Sequence, residues 1–403
     1  MDSPSTGEVL LWVPRVILFP VHLVLEYGLR WPLAELVMLG EEHHLEGWIR
    51  WLLTWRGGTV GVFPTFYYDF GLKPSIGFYF FAGDLLASRD RFSLAASFWD
   101  DWTQVRAQYR APLFRDRSGT TVTAVVYSDR PDWSFHGVGP ATTQDRFGYF
   151  RLTLAELAQG VSTKLGSRGT LTLGAAVRSA TFGDGLQPTI SESFPAADPR
   201  LVPGFTGYRL ISEQVGFVLD SRPPARLEAS SGVRLDLRAA HGFDPTDRDL
   251  QLLRWGAAAA GFLDLSGRGH VIELGVTTAF VEQLAPQPVP LTELVTFGGT
   301  TMRGFVEGRF RGASGFIVGA DYRYPVWSLL EADLFASVGN VFNGHLDDFS
   351  FARMFLCWGL GVRTTNSREV AFEMLIGFGS NRLDAPRFEV EKVRGVFGVV
   401  SRF

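Results

Sequence analysis

From Thr59 onward the chain alternates. Leu171, Leu173, Ala175 and Val177 are interleaved with Thr170, Thr172, Gly174, Ala176 and Arg178, so an extended backbone carries one apolar face and one small or polar face. The same period of two returns in distant segments. Val233, Leu235, Leu237 and Ala239 alternate with Arg234, Asp236 and Arg238; Ile272, Leu274, Val276 and Phe280 alternate with Glu273, Gly275 and Thr277. Phe316, Val318, Ala320, Tyr322 and Tyr324 oppose Gly319, Asp321 and Arg323, and Phe372, Met374, Ile376 and Phe378 oppose Glu373, Gly377 and Gly379. About sixteen such segments fit between Thr59 and Phe403, at roughly 21 residues per strand and connection. An even number of antiparallel strands can close on itself.

Alternation alone also suits a soluble sandwich with its apolar face in the core. The connections discriminate. Short links such as Ser266 to Gly269 alternate with long ones such as Gly183 to Gly207, the asymmetry of a membrane barrel with short turns at one face and long loops at the other. An Arg or Lys held in lipid at midplane costs about 2–4 kcal/mol, so Arg234 and Arg238 must point inward together with Asp236. The pattern therefore predicts a charged, wet lumen and a wall of Val, Leu, Phe and Ala facing hydrocarbon.

Before Thr59 the period is helical. Pro32 suits a first helical position, and Trp48, Leu52 and Trp55 recur at helix spacing before Gly57 and Gly58 end the run. Glu41, Glu42, Glu46, Arg50 and the His43–His44 pair leave one apolar face, which either lies on a membrane surface or, as favoured here, packs against the protein. Val9 to Leu25 is apolar but contains Pro14, Arg15, Pro20 and His22, so it does not read as a spanning helix. Met1 to Glu8 is polar and acidic, unlike the basic start of a secretory leader. Residues 1–58 are thus an N-terminal amphipathic helical segment and residues 59–403 a barrel.

Composition narrows the partners. Lys and Arg number 38 against 42 Asp and Glu, a net charge of −4 with no long basic tract, which excludes a nucleic-acid partner held by counterion release. The 45 Gly, 34 Phe and 11 Trp suit many strands, turns and membrane-facing rings. One cysteine, Cys357, excludes an internal disulfide and a multi-cysteine metal site. The seven histidines are scattered without metal-ligand spacing or a neighbouring nucleophile motif, so no catalytic residue, metal or cofactor is expected.

Two features bear on function. Pro64 interrupts the first strand, Val60 to Tyr68, and proline is tolerated mainly at an edge because it cannot donate to a ladder. The last strand, Val393 to Phe403, contains Gly395 and Gly398, which weaken pairing. First and last strands meet at the barrel seam, so the closure reads as poorly bonded on both sides. The alternative is that the glycines only relieve crowding and the proline marks a bulge.

The long connection after Val281 carries Phe297-Gly298-Gly299-Thr300-Thr301-Met302-Arg303-Gly304-Phe305, then Gly308-Arg309-Phe310-Arg311. It resembles the lumen-facing loop of the BamA-like outer-membrane assembly-factor superfamily, the bacterial surface antigen family, whose signature of apolar residue, Arg, Gly and aromatic is matched by Met302, Arg303, Gly304 and Phe305. Phe135-His136-Gly137-Val138-Gly139, the strand Asp321-Tyr322-Arg323-Tyr324-Pro325 and the terminal Phe403 add to the resemblance. A loop folded into a barrel needs an anchor, and an Arg fork on an inward carboxylate is a directional one. Asp321 and Arg323, on the next strand, are the expected wall residues, with Asp321 where the family commonly has Glu. Ser337, in Phe335-Ala336-Ser337-Val338-Gly339, replaces the family's Asp and removes one expected partner.

The resemblance implies an all-β membrane protein, a 16-stranded antiparallel transmembrane barrel in the bacterial outer membrane. It implies assistance in the insertion or translocation of client outer-membrane or secreted proteins through a lateral gate at the Pro64, Gly395, Gly398 and Phe403 seam. Family members usually carry POTRA domains of roughly 75 residues, and the 58 residues before Thr59 fit none. A passive channel or lipid-handling barrel is the alternative. The Trp48 and Trp55 surface offers a route to a homo-oligomer or a docked partner.

Overall fold

The computed structural model describes residues 51–401 except 115–117, 195–201, 225–226, 228, 247–248, 328–329 and 365–369. The bulk of the N-terminal segment, including Trp48, and the terminal Phe403 therefore lie outside the described residues.

Among the described residues, sixteen long strands form one closed antiparallel sheet. They are β1 (Val60–Asp69), β2 (Ser75–Gly83), β3 (Arg91–Trp99), β4 (Trp102–Pro112), β5 (Gly119–Phe135), β6 (Gly148–Leu165), β7 (Gly169–Asp184) and β8 (Tyr208–Asp220). The ring continues through β9 (Gly232–Phe243), β10 (Gln251–Asp264), β11 (Val271–Gln283), β12 (Ser314–Trp327), β13 (Leu330–Phe342), β14 (Phe355–Thr364), β15 (Val370–Arg382) and β16 (Val390–Ser401). Each pairs with its sequence neighbours, and β16 pairs with β1. No described helix is long and apolar enough to cross a membrane; the strands do the crossing.

The faces follow the sequence period. Leu173, Val177, Val233, Leu274, Val318, Ile376 and Phe397 are exposed on the outside, whereas Asp236, Glu331 and Asp333 are buried within. Inward charges pair across strands: Arg178 on β7 with Glu156 on β6 at 2.5 Å, and Arg363 on β14 with Glu331 on β13 at 2.7 Å. Asp236 accepts from Arg238 Nε at 2.8 Å and from Arg234 Nη2 at 3.3 Å.

The lumen is not wet throughout, as the alternation predicts. Toward the long-loop end it is filled by an apolar core of Phe135, Phe150, Leu210, Leu252, Phe305 and Phe310. The connection 284–313 between β11 and β12 supplies much of it, because its own Leu, Met and Phe side chains fold back inside rather than face water. The short-turn end keeps a charged cavity, about 1050 Å³, lined by Arg222, Arg234, Asp236, Arg268, Glu273 and Arg323.

The wall is uneven. β5, β6 and β7 run for 17, 18 and 16 residues, but β1, β2 and β3 for only 10, 9 and 9. At roughly 3.3 Å per residue and a tilt near 45°, nine residues span only about 20 Å of wall height. The barrel is shortest beside its own closure.

One boundary differs from the sequence reading. The helix expected through Trp55 stops earlier: residues 51–53 are helical, and Thr54–Trp55 is a two-residue strand antiparallel to β1. Gly57 and Gly58, at φ of 67° and 90°, turn the chain into a hairpin, and the unfilled edge of β1 captures the residues before them.

Candidate functional site: the lumenal loop and the seam

Chain 284–313 enters the barrel and doubles back through a small hairpin pairing Val295–Phe297 with Phe310–Gly312. Burying so much backbone and charge requires partners on the wall. Glu293, almost wholly buried, receives Arg178 Nη1 at 2.5 Å, Arg254 Nη1 at 2.6 Å and the Tyr208 hydroxyl at 2.6 Å, from β7, β10 and β8. On the opposite flank Arg309 donates to Gln144 Oε1 at 3.0 Å, to Thr142 Oγ1 at 2.8 Å and to the Thr142 carbonyl at 3.1 Å. Arg311 donates to the Ser134 carbonyl at 2.6 Å, and the Gly139 N–H donates to the Arg311 carbonyl at 2.8 Å. The Phe135 to Gly139 turn and the Gly308 to Arg311 segment, set apart in sequence, thus meet. Burial and the neighbouring Arg309 and Arg311 hold the His136 imidazole well below its ordinary range, hence neutral.

The tip carries the four-residue motif. Arg303 Nη1 bonds Asp333 on β13, and Nη2 bonds Asp321 on β12. Its guanidinium lies 3.8 Å from the centre of the Phe335 ring. Met302 and Phe305 are fully buried, and Phe305 meets Phe310 edge-on at 5.0 Å and Phe355 at 6.0 Å. Gly304 lies against the wall so closely that a Cβ would stand 2.2 Å from the Phe378 carbonyl oxygen and 2.9 Å from Cys357 Cβ. Gly377 is matched to it, its own absent Cβ falling 2.9 Å from Gly304 Cα.

Two of the expected wall residues part company. Asp321 reaches Arg303, but Arg323 pairs with Glu273 on β11 and leaves the loop alone. The acid missing at Ser337 has a substitute: Asp333, four residues earlier on the same face of β13, takes the second half of the Arg303 fork. Ser337 contacts Cys357 Sγ at 3.1 Å instead.

At the seam, strand pairing among the described residues covers Val396–Asp69, Phe397–Tyr68, Gly398–Tyr67 and Val399–Phe66. Beyond Val399 the last strand stays with β15 as far as Ser401 but parts from β1. Pro64 lies where the next donor would be. The Thr59 carbonyl accepts from Gly83 on β2, and the Phe70 N–H donates to Gly395 at 2.9 Å. By ladder alternation the amides of Val60, Val62, Phe66 and Tyr68 therefore face β16, and at Pro64 that amide is missing. Gly398 takes the alternative part, the relief of crowding. A Cβ there would stand 2.5 Å from the Phe66 carbonyl oxygen, and one on Gly395 would stand 2.8 Å from the Phe70 ring. Both glycines let β1 approach.

The seam also holds a buried ion pair. Arg394 on β16 grips Asp69 on β1, with Nη2 at 2.7 Å and Nε at 2.9 Å from Oδ2, and each side chain is 7% exposed. The Nη1 of Arg394 donates to the carbonyls of Gly299 at 3.0 Å and Arg303 at 3.1 Å. One guanidinium therefore joins the first strand, the last strand and the loop tip. Asp69 and Arg394 are 325 positions apart in the chain, and only their inward placement hints at the pair.

No family model matches the sequence, and no curated protein matches it. Solved structures do resemble the fold. The crystal structure of BamA from Haemophilus ducreyi lacking POTRA domains 1–3 superposes with a TM-score of 0.59 at 13% identity, over 84% of this chain and 70% of that one. CdiB from Acinetobacter baumannii gives 0.54 at 12% identity, and CdiB from Escherichia coli 0.52 at 13%. Each comparison covers 84% of this chain, but only 59% and 62% of the two CdiB chains. The sixteen strands, the indwelling loop and these neighbours together make this a BamA-like β-barrel fold.

Proposed function

We propose that the protein resides in a bacterial outer membrane and assists the insertion or translocation of other proteins, with β1 and β16 parting to admit a client strand by backbone pairing. The observation that carries this reading is the asymmetry of the closure: a few residue pairs and one ion pair hold β1 to β16, whereas β5 and β6 pair from Gly119–Thr163 to Phe135–Gly148. Arg303 acts as the anchor of the loop tip, through Asp321 and Asp333, and Arg394 makes the seam sensitive to whether the loop is seated. The chain before Thr54 is available for dimerisation or a docked partner. Lipid is the solvent of the outer wall.

Photoreactive residues placed at Pro64 and Phe397 in living cells test the reading. Capture of nascent barrel or secreted proteins at both positions is expected, with less at Val177 on the far wall. Capture at none of them removes the insertase and translocase reading. The charged cavity at the short-turn end favours a second reading, a solute channel or lipid-handling barrel. A large steady conductance unchanged by Arg303→Ala would support that reading instead.

A further inference from the structure

A β-strand has two edges, and those of β1 are used unequally. One edge pairs with β2 from Val60–Ala82 to Tyr67–Ser75. The other meets β16 only from Phe66 to Asp69. Since β2 occupies the first edge at Val60 and Gly61, Thr54–Trp55, which pairs as Thr54–Gly61 and Trp55–Val60, must lie on the second, the side that faces β16. Between these two patches, from Val62 to Thr65, no described strand pairs with that edge.

We infer that Thr54–Trp55 is a self-supplied strand occupying the β1 edge that an incoming strand would need, and that it must be displaced before a client can pair there. The inference rests on the gate reading above and adds to it a competitor built into the chain. Ladder alternation makes Trp55–Val60 the pair that exchanges hydrogen bonds, because Val60 turns its amide and carbonyl away from β2. Two residues hold weakly, and the surroundings favour release: Trp51, Leu52 and Trp55 are exposed, and Gly57 and Gly58 with positive φ make the hinge. The Thr59 hydroxyl and N–H both return to the Arg56 carbonyl, at 3.0 and 3.4 Å, so the turn keeps its shape and returns the strand to the same place. A strand entering along β1 from Phe66 toward Val60 meets Pro64 first, where it finds no donor, and then the cap.

The test uses the full chain with Cys357→Ser. Trp55→Cys with Val60→Cys places two thiols on a hydrogen-bonded pair, about 5.5 Å between Cα atoms and within disulfide reach. Trp55→Pro removes the N–H that holds the cap. The probe is a synthetic peptide copying Glu391 to Phe403 and continued by Thr-Val-Thr, so that in the β16 register it runs past Pro64 to Gly61 and Val60, with a photoreactive group at the added valine, offered to the protein in liposomes. Losing two net hydrogen bonds shifts a population by about tenfold. Capture on β1 is expected to fall about tenfold when the disulfide is closed, to recover on reduction, and to rise by a similar factor in Trp55→Pro. Equal capture by the oxidised and reduced forms of one preparation overturns the inference, whether or not Trp55→Pro folds. Folding of an added barrel substrate is read in parallel. If capture follows the lock but no substrate folds faster, the cap stands and the insertase reading falls; if folding accelerates regardless of the lock, the cap falls alone.

Discussion

Arg394→Met removes the guanidinium that bridges β1, β16 and the loop while keeping most of the side chain's volume. Three groups lose partners: the Asp69 carboxylate and the carbonyls of Gly299 and Arg303. Both members of the pair are 7% exposed, so solvent screens them little. Removing one partner of a buried ion pair costs about 3–5 kcal/mol, chiefly because the other charge stays behind unpaired. The lower figure is appropriate beside a partly hydrated lumen, and about 3 kcal/mol is a change of about 150-fold in the seam's opening equilibrium. Hydrogen exchange at the Phe70 amide, bonded to the Gly395 carbonyl across the seam, reads that opening directly. It should quicken by about two orders of magnitude, while amides of β6 and β7 stay protected. Asp69→Asn combined with Arg394→Met removes the stranded charge and should recover at least half of the loss, a coupling that a double-mutant cycle measures. A change under threefold in the single variant, or a double variant as damaged as the sum of the two singles, would mean that the Asp69–Arg394 pair does not hold the seam.

Gly398→Val puts two methyl groups where even a Cβ finds the Phe66 carbonyl oxygen at 2.5 Å; β1 must move away, and cross-seam disulfide yield at neighbouring positions should drop severalfold. Arg303→Ala strands Asp333, buried inside the wall, and should lower urea resistance by about 3 kcal/mol, with Asp333→Asn in the same chain recovering part of it. Asp90 in the β2–β3 turn gives a pH signature. Burial works against its charge, but the Tyr109 hydroxyl and the amides of Leu86, Leu85 and Ala87 outweigh it and bring the carboxyl down to about 2. A depressed folded-state pKa stabilises above the unfolded value near 3.9 and loses that contribution as the pH falls through about 2. The melting difference between wild type and Asp90→Asn should hold from pH 7 to about 4 and shrink toward pH 2; a difference that does not change over that range contradicts the assignment.

The strands were legible because membrane, wall and lumen impose one period on every segment, and Leu173, Val233 and Leu274 obey it as Arg178, Asp236 and Glu273 do. Arg303 was legible through its neighbours Met302, Gly304 and Phe305, whose types fit a tight apolar dock. Glu293 was not, since a lone acid in a loop acquires meaning only when β7, β8 and β10 bring Arg178, Tyr208 and Arg254 to it. Asp333 carries no such signal, since the family's acid position falls on Ser337, although a pleated strand presents both on one face. Gly398 shows the limit most clearly: the sequence leaves weak pairing and relief of crowding both open, and the distance to Phe66 shows that a side chain there would force the closure apart.

If the barrel works by parting β1 from β16, a covalent lock across the seam stops it. Phe66→Cys with Val399→Cys, in a Cys357→Ser background, bridges the last register pair of the seam and locks it. The measurement is the rate at which liposomes carrying this protein fold an added barrel substrate, before and after reduction. Acceleration is expected only in the reduced state; equal acceleration with the disulfide closed would rule out a gate at this seam.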